Sequence, residues 1–179
     1  MQRHGVAGTG IAQILDTSGV TRRSIYLNFP GGKAELVTAA TQFAGGEMTT
    51  TIRDLVETPD PVSAFARMWS AVLADTDFTG GCPIVAAACG ADEAPEAAAA
   101  AAEVFATWGG LLAGRLARDG ITEDVAQSLS TTIIAAMEGA VIMARAARSI
   151  TPLEQVAHHL EGLIATHRPT ARKGRRAAK

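Results

Sequence analysis

The side chains best equipped for recognition chemistry lie in TRRSIYLNFPGGK, from Thr21 to Lys33, where two guanidiniums, a phenol and a carboxamide fall close together. If this stretch is helical, Ile25 and Phe29, four residues apart, share a buried side, and Arg22, Arg23, Tyr26 and Asn28 are left outside. An arginine fork matches O6 and N7 of guanine, so a short exposed helix opening on two arginines suits the major groove of duplex DNA. Thr21 is placed to cap that helix. Phe29-Pro30-Gly31-Gly32 stops it, and Lys33 resumes the chain near a helix N-terminus, a combination suited to holding a phosphate.

Such a reader needs a second helix behind it. Ile11, Ile14, Leu15 and Ser18 recur at i, i+3, i+4 and i+7, with Thr9 as the candidate N-cap and a further member of the DNA-facing set. Gly19 breaks this helix, and Val20 is expected to plug the corner between the two. The unit reads as two short helices joined by a tight turn.

GVTRRSIYLNFPGGKAEL resembles the second half of the DNA-binding domain of the tetracycline-repressor (TetR) family. In that family a Gly-Val-polar turn precedes a short recognition helix ending in Tyr-x-x-Phe, followed by Pro and a Lys or Arg. Further on, GGCPIVAAA from Gly80 and EGAVIMARAARSITPLEQV from Glu138 resemble the branch with LmrA/YxaF-like C-terminal domains. The resemblance implies a homodimeric transcriptional repressor that binds double-stranded DNA at a palindromic operator and is released by a small molecule held among the central helices of its larger domain. It also implies a first helix ahead of Gly5-Val6, where only Met1 to His4 stand. The expectation is a DNA-binding unit lacking that helix, through a late start codon or a true truncation.

The whole chain reads as all-α: caps, prolines and 3.6-residue periodicities recur, and no alternating β-branched run is present. Its 179 residues, 47 % apolar and 19 % charged, suit a small DNA-binding unit over residues 1–36, a ligand-binding and dimerisation domain over 37–167, and a basic tail over 168–179. Charge follows the same division. The first segment carries four basic and two acidic groups, the second six and sixteen, and the tail six and none. So acidic a middle repels DNA, which assigns contact with it to the N-terminal unit and the tail. The tail is equally readable as a disordered solubilising terminus. No signal peptide and no uninterrupted apolar run of about eighteen residues is visible, so a cytoplasmic protein with no membrane partner is expected. Cys82 and Cys89 are read as reduced thiols.

Lys33 to Val56 is expected to be a helix with Leu36, Val37, Ala40, Phe43 and Ala44 on its buried side, and Gly45-Gly46 inside it is either a tolerated weak spot or a hinge. Asp60 and Pro61 start the next helix, whose stripe is Phe65, Met68, Trp69, Val72 and Leu73. Cys82 precedes a short apolar helix, where a helix dipole lowers a thiol pKa and opens a redox-sensing role, against the plainer reading of a small buried hydrophobe. Pro95 to Arg118 forms a long helix with Val104, Phe105, Trp108, Leu111, Leu112 and Leu116 on one face. Thr122 caps another that runs to about Arg148 and is apolar nearly all round, which requires cover on both sides. Thr151-Pro152-Leu153-Glu154 reads as a capping box for the last helix.

With the resemblance, Phe65, Met68, Trp69, Leu73, Cys82, Trp108, Leu112, Ile134, Met137 and Glu138 become the candidate binders of a small apolar or aromatic ligand, with Trp69 and Trp108 flanking its cavity. Glu138 is either a pocket group or the ion-pair partner of Arg145 or Arg148, the latter slightly preferred. Leu129, Ile133, Val141, Val156, Leu160 and Leu163 are the candidate dimer contacts, in a four-helix bundle across a two-fold axis. Enzyme readings fare poorly. There is no Gly-rich phosphate loop, and adjacent His158-His159 lack the i, i+4 spacing of a helical metal pair; no cofactor is expected. The rival to a repressor is a dimeric ligand-binding or scaffold protein that has lost specific DNA binding.

Overall fold

A computed structural model describes residues 1–169, all helix and turn with no strand among them. Eight helices follow in order: α1 Ile11–Ser18, α2 Arg22–Asn28, α3 Lys33–Leu55, α4 Pro61–Asp75, α5 Pro83–Ala88, α6 Pro95–Arg118, α7 Glu123–Ala147 and α8 Thr151–His167. Proline occupies the first turn of α4, α5, α6 and α8, where its missing N–H leaves no bond unmade. The basic tail beyond Pro169 lies outside the described residues.

The α1–α2 unit follows its sequence pattern in part. Gly19 closes α1 at φ 72°, a left-handed conformation that a Cβ would strain. Thr21 caps α2 by accepting the Ser24 N–H at 3.1 Å. Thr9 does not cap α1: the N-cap is Gly10, and the Thr9 hydroxyl is buried and donates to the Gly5 carbonyl at 2.7 Å. Val20 does not fill the corner but is exposed, and no residue of α1 is buried. Ile25 alone of the expected apolar face is fully covered, with Ile11, Ile14, Leu15 and Phe29 half-buried. Ahead of α1, Val6 packs against the end of α5, close enough that a Cβ on Gly90 would stand 2.6 Å from its Cγ2.

α3 carries this unit into the larger domain. Its buried line is Val37, Thr41, Gly45 and Ile52, with Ala44 and Met48 partly covered; Phe43, expected inside, is 73 % exposed. The phase is set by Gly45, at whose position a Cβ would stand 2.4 Å from Val104 Cγ2 of α6. The glycine therefore marks the close crossing of α3 and α6 in an unbroken helix. Gly46 faces open space.

α6 and α7 lie side by side at the centre, with α3 and α5 against α6 and with α8 against α7 and α4. Both central helices are long and apolar enough to cross a membrane by length and composition, with windows of mean hydropathy 1.3 and 1.4. Their packing, through Trp108, Leu112 and Leu116 on one and Ile133, Met137 and Val141 on the other, makes them the core helices of the domain. Arg115 ties the turn between α3 and α4 to α6 by donating to the carbonyls of Val56 and Thr58 and pairing with Asp119 at 3.0 Å.

Three further expected cap bonds are not made, the first at Thr122, which is the N-cap residue of α7 without a side-chain cap bond. The Asp60 carboxylate makes no cap bond and accepts from Arg67 at 3.0 Å. At α8 the N-cap is Ile150, which makes Thr151 the first helical residue; its N–H reaches Ser149 Oγ at 3.3 Å, so the capping box does not form.

Candidate functional site

α2 offers its polar face to solvent. Thr21, Arg22, Arg23, Tyr26 and Asn28 are all exposed, while Ile25 points inward. The Asn28 amide donates to the Ser24 carbonyl at 2.9 Å, which leaves its oxygen outward. The tip therefore presents two guanidiniums with no ion-pair partner among the described residues, a phenol and a carboxamide oxygen, the donor and acceptor types that read base edges. Thr9, turned inward, is not part of this face. Lys33 opens α3 as expected, but its Nζ lies 3.6 Å from Glu93, in the segment between α5 and α6. A phosphate would have to compete with that carboxylate for it.

The larger domain holds a partly open apolar cavity of about 60 Å³ between the end of α3, the start of α4 and the middles of α6 and α7. Phe65, Trp108, Leu112, Ile134, Met137 and Glu138, named from the sequence, all line it. Met68, Trp69, Leu73 and Cys82 do not. The reason is position along α4: Trp69 and Leu73 lie one and two turns beyond Phe65, about 6 and 12 Å further on, in solid packing. Trp108 thus meets the cavity and Trp69 does not. Sequence reasoning missed Ile52, Leu55, Val56, Pro61 and Val62, and assigned Ile133 elsewhere. Ile52 and Val56, four apart near the end of α3, are the periodic signal that could have placed that helix in the wall.

Trp108 connects the cavity to α3. Its ring stands edge-on to Phe105 with centroids 5.4 Å apart, and its indole N–H donates to Thr49 Oγ1 at 2.9 Å. Glu138, 7 % exposed, is the acidic group in an otherwise apolar wall. Burial holds its carboxyl up at about 7, an effect partly offset by a hydrogen bond from the Cys82 thiol. It does not pair with Arg145 or Arg148: Arg145 donates to the Thr79 carbonyl at 3.2 Å and Arg148 pairs with Asp77 at 2.6 Å. Cys82 occupies the N-cap of α5, yet burial and then the neighbouring Glu138 charge push its thiol up, opposite to what a reactive sensor needs. Both cysteines are free thiols.

Four of the six expected dimer contacts belong to the chain's own core. Leu129, Ile133, Val141 and Leu160 are buried within one copy; Val156 is half-covered and Leu163 exposed. The apolar groups that α7 and α8 leave outside are Ile142, 52 % exposed, and Met143, 59 % exposed, together with Leu163.

A reader helix on a two-helix unit, joined by one long helix to an all-α domain with an internal apolar cavity, defines a helix-turn-helix regulator. Residues 1–40 match the family described as bacterial regulatory proteins, tetR family, and residues 60–159 match the transcriptional regulator LmrA/YxaF-like C-terminal domain. The chain belongs to the TetR family of transcriptional regulators, in the branch with that C-terminal domain. It is 34 % identical over 176 residues to an uncharacterized HTH-type transcriptional regulator of Mycobacterium tuberculosis, covering 94 % of this chain and 90 % of the relative. It is 29 % identical over 168 residues to the HTH-type transcriptional regulator LmrA of Bacillus subtilis, covering 91 % and 89 %. Its fold is that of the regulatory protein TetR from Rhodobacter sphaeroides, with a TM-score of 0.79 at 20 % identity over 94 % and 92 % of the two chains. A TetR transcriptional regulator from Legionella pneumophila gives 0.78 at 21 % identity over 90 % and 89 %. Members of the family are DNA-binding transcription factors, not enzymes.

Proposed function

We propose that the protein is a cytoplasmic, homodimeric, ligand-responsive repressor. Two copies present α2 to successive major grooves of a palindromic operator, and a small, mostly apolar or aromatic molecule entering the α3–α4–α6–α7 cavity releases them. The observation that carries this reading is the bond from Trp108, in the cavity wall, to Thr49 on α3, because α3 is the helix that starts at the DNA reader. A ligand that binds one separation of the two α2 helices better than the other shifts the population toward it. Ile142, Met143 and Leu163 supply the face on which the two copies meet.

The test has two arms. Selection from a random duplex library is expected to recover an inverted repeat with half-sites about 34 Å apart, one helical turn of DNA. Titration with N-phenyl-1-naphthylamine, an apolar aromatic probe, is expected to quench tryptophan fluorescence saturably and to weaken binding to the recovered duplex. Recovery of no preferred sequence, or probe binding that leaves DNA affinity unchanged, would overturn the reading in favour of a ligand-binding protein without specific DNA recognition.

A further inference from the structure

Glu138 is costly where it stands. Its carboxylate is buried, and among the described residues no cation lies within ion-pair distance and none donates a hydrogen bond to Oε2. A buried charge lacking a partner destabilises a fold, more than a glutamine or a methionine of similar volume would at the same place. The nearby arginines bond other groups, Arg145 through Nη2 to the Thr79 carbonyl, with its buried Nε unpartnered among the described residues, and Arg148 to Asp77. Cys82, its one hydrogen-bonding neighbour, lies off the cavity wall, on the side of the cleft that Glu138 shares with Arg145. Glu138 thus has the Cys82 thiol on one side, while it also forms part of a wall otherwise made by apolar groups and by the aromatic rings of Phe65 and Trp108.

A buried carboxyl without a full set of donors, on a residue that shares an apolar pocket wall with Phe65 and Trp108, is complementary to a group that brings both a proton to donate and a positive charge. A charge-assisted N–H to carboxylate bond is about twice as strong as a neutral one, and ring faces add cation–π attraction that grows on desolvation. An anionic ligand would set like charges together, and a purely hydrocarbon ligand would leave Oε2 as it is. Resting on the reading of the cavity as the effector site, we propose that its ligand is a lipophilic amine: an apolar body seated on Trp108, Leu112 and Met137, and a protonated nitrogen donating to Glu138.

A matched pair of probes separates this inference from the reading beneath it. 4-Phenylbutylamine and 4-phenylbutan-1-ol share an apolar body and differ in the head group. Titrated into the wild-type protein at neutral pH by calorimetry, the amine is expected to bind at least tenfold more tightly than the alcohol. In Glu138→Gln the alcohol is expected to bind as before and the preference to fall below twofold; in Glu138→Asp, which keeps the charge, a reduced preference should persist. The wild-type comparison decides even if a variant does not fold. Equal affinity for amine and alcohol would overturn the head-group inference while leaving the apolar cavity standing. Binding of neither probe would overturn both.

Discussion

Replacing Gly45 by alanine tests the crossing of α3 and α6 on which the architecture depends. The new methyl would stand 2.4 Å from Val104 Cγ2 and 3.5 Å from Val104 Cβ. A β-branched side chain in a helix is confined to one χ1 rotamer, so Val104 cannot swing away and the helices must part instead. Overpacking of this kind costs about 1 to 3 kcal/mol, against which alanine gains about 1 kcal/mol in helix propensity. Gly45→Ala is therefore expected to be neutral to destabilising, by up to about 2 kcal/mol. Gly46→Ala meets nothing within 4 Å and should stabilise by close to the full propensity gain, about 1 kcal/mol. Urea denaturation at fixed protein concentration measures both, the fixed concentration being needed because the stability of the proposed dimer would depend on it. Val104→Ala in the Gly45→Ala background should recover part of the loss by removing the clashing methyls. Equal stabilisation by the two single alanines would refute the close-approach argument and return the pair to tolerated weak spots.

Three further outcomes are expected. Arg22→Ala should relax sequence preference at one base position and cost about 1 to 3 kcal/mol, whereas Lys33→Ala should weaken all duplexes alike and flatten the salt dependence by about one; Glu93→Gln, which frees Lys33, should tighten binding to any duplex. Equal effects of the two basic-residue changes on selected and random DNA would contradict these roles. Glu138, whose carboxyl is raised from 4.5 to about 7 in the fold, contributes stability present in full below about pH 4.5 and lost as pH rises through 7. The loss is on the order of 3 kcal/mol. Denaturation midpoints of wild type and Glu138→Gln should therefore diverge between pH 5 and 8, with the glutamine variant the more stable at pH 8; parallel profiles would show that the carboxyl is not so perturbed. Met143→Glu and Leu163→Glu should each raise the dimer dissociation constant at least tenfold in analytical ultracentrifugation, because they charge an exposed apolar face, and an unchanged dimer would place the interface elsewhere.

How far the sequence could be read depended on whether a helix carries a phase. Gly19, Thr21 and the spacing of Ile25 and Phe29 fixed the polar face of α2, and prolines fixed where α4, α5, α6 and α8 begin. α7 is apolar nearly all round, so nothing in its pattern distinguishes Ile133 and Val141, which are buried, from Ile142 and Met143, which are not. α3 misled for a different reason. Phe43 suggested the inner face, but the true phase follows Gly45, a residue whose packing role comes from a neighbour 59 positions away in the sequence. The cavity was half legible: one turn of α4 decided that Phe65 faces it and Trp69 does not. Such offsets depend on where one helix crosses another, which a single helix's periodicity does not record.

On the proposed ligand-responsive reading, the Gly45 crossing also makes α3 a lever. Val104 meets it most closely at Gly45, and the bond from Trp108 grips it at Thr49, four residues or about 6 Å along the axis. Lys33, at the DNA end, is twelve residues or about 18 Å away on the other side of that fulcrum. With Gly45 as the pivot, an outward displacement of about 1 Å at Thr49 on binding of the proposed ligand would become about 3 Å in the opposite direction at Lys33. A side chain moved that far from a phosphate no longer makes a direct hydrogen bond to it. The threefold gain depends on the pivot staying tight, so a looser contact at Gly45 would weaken the response to ligand even where ligand affinity is unchanged.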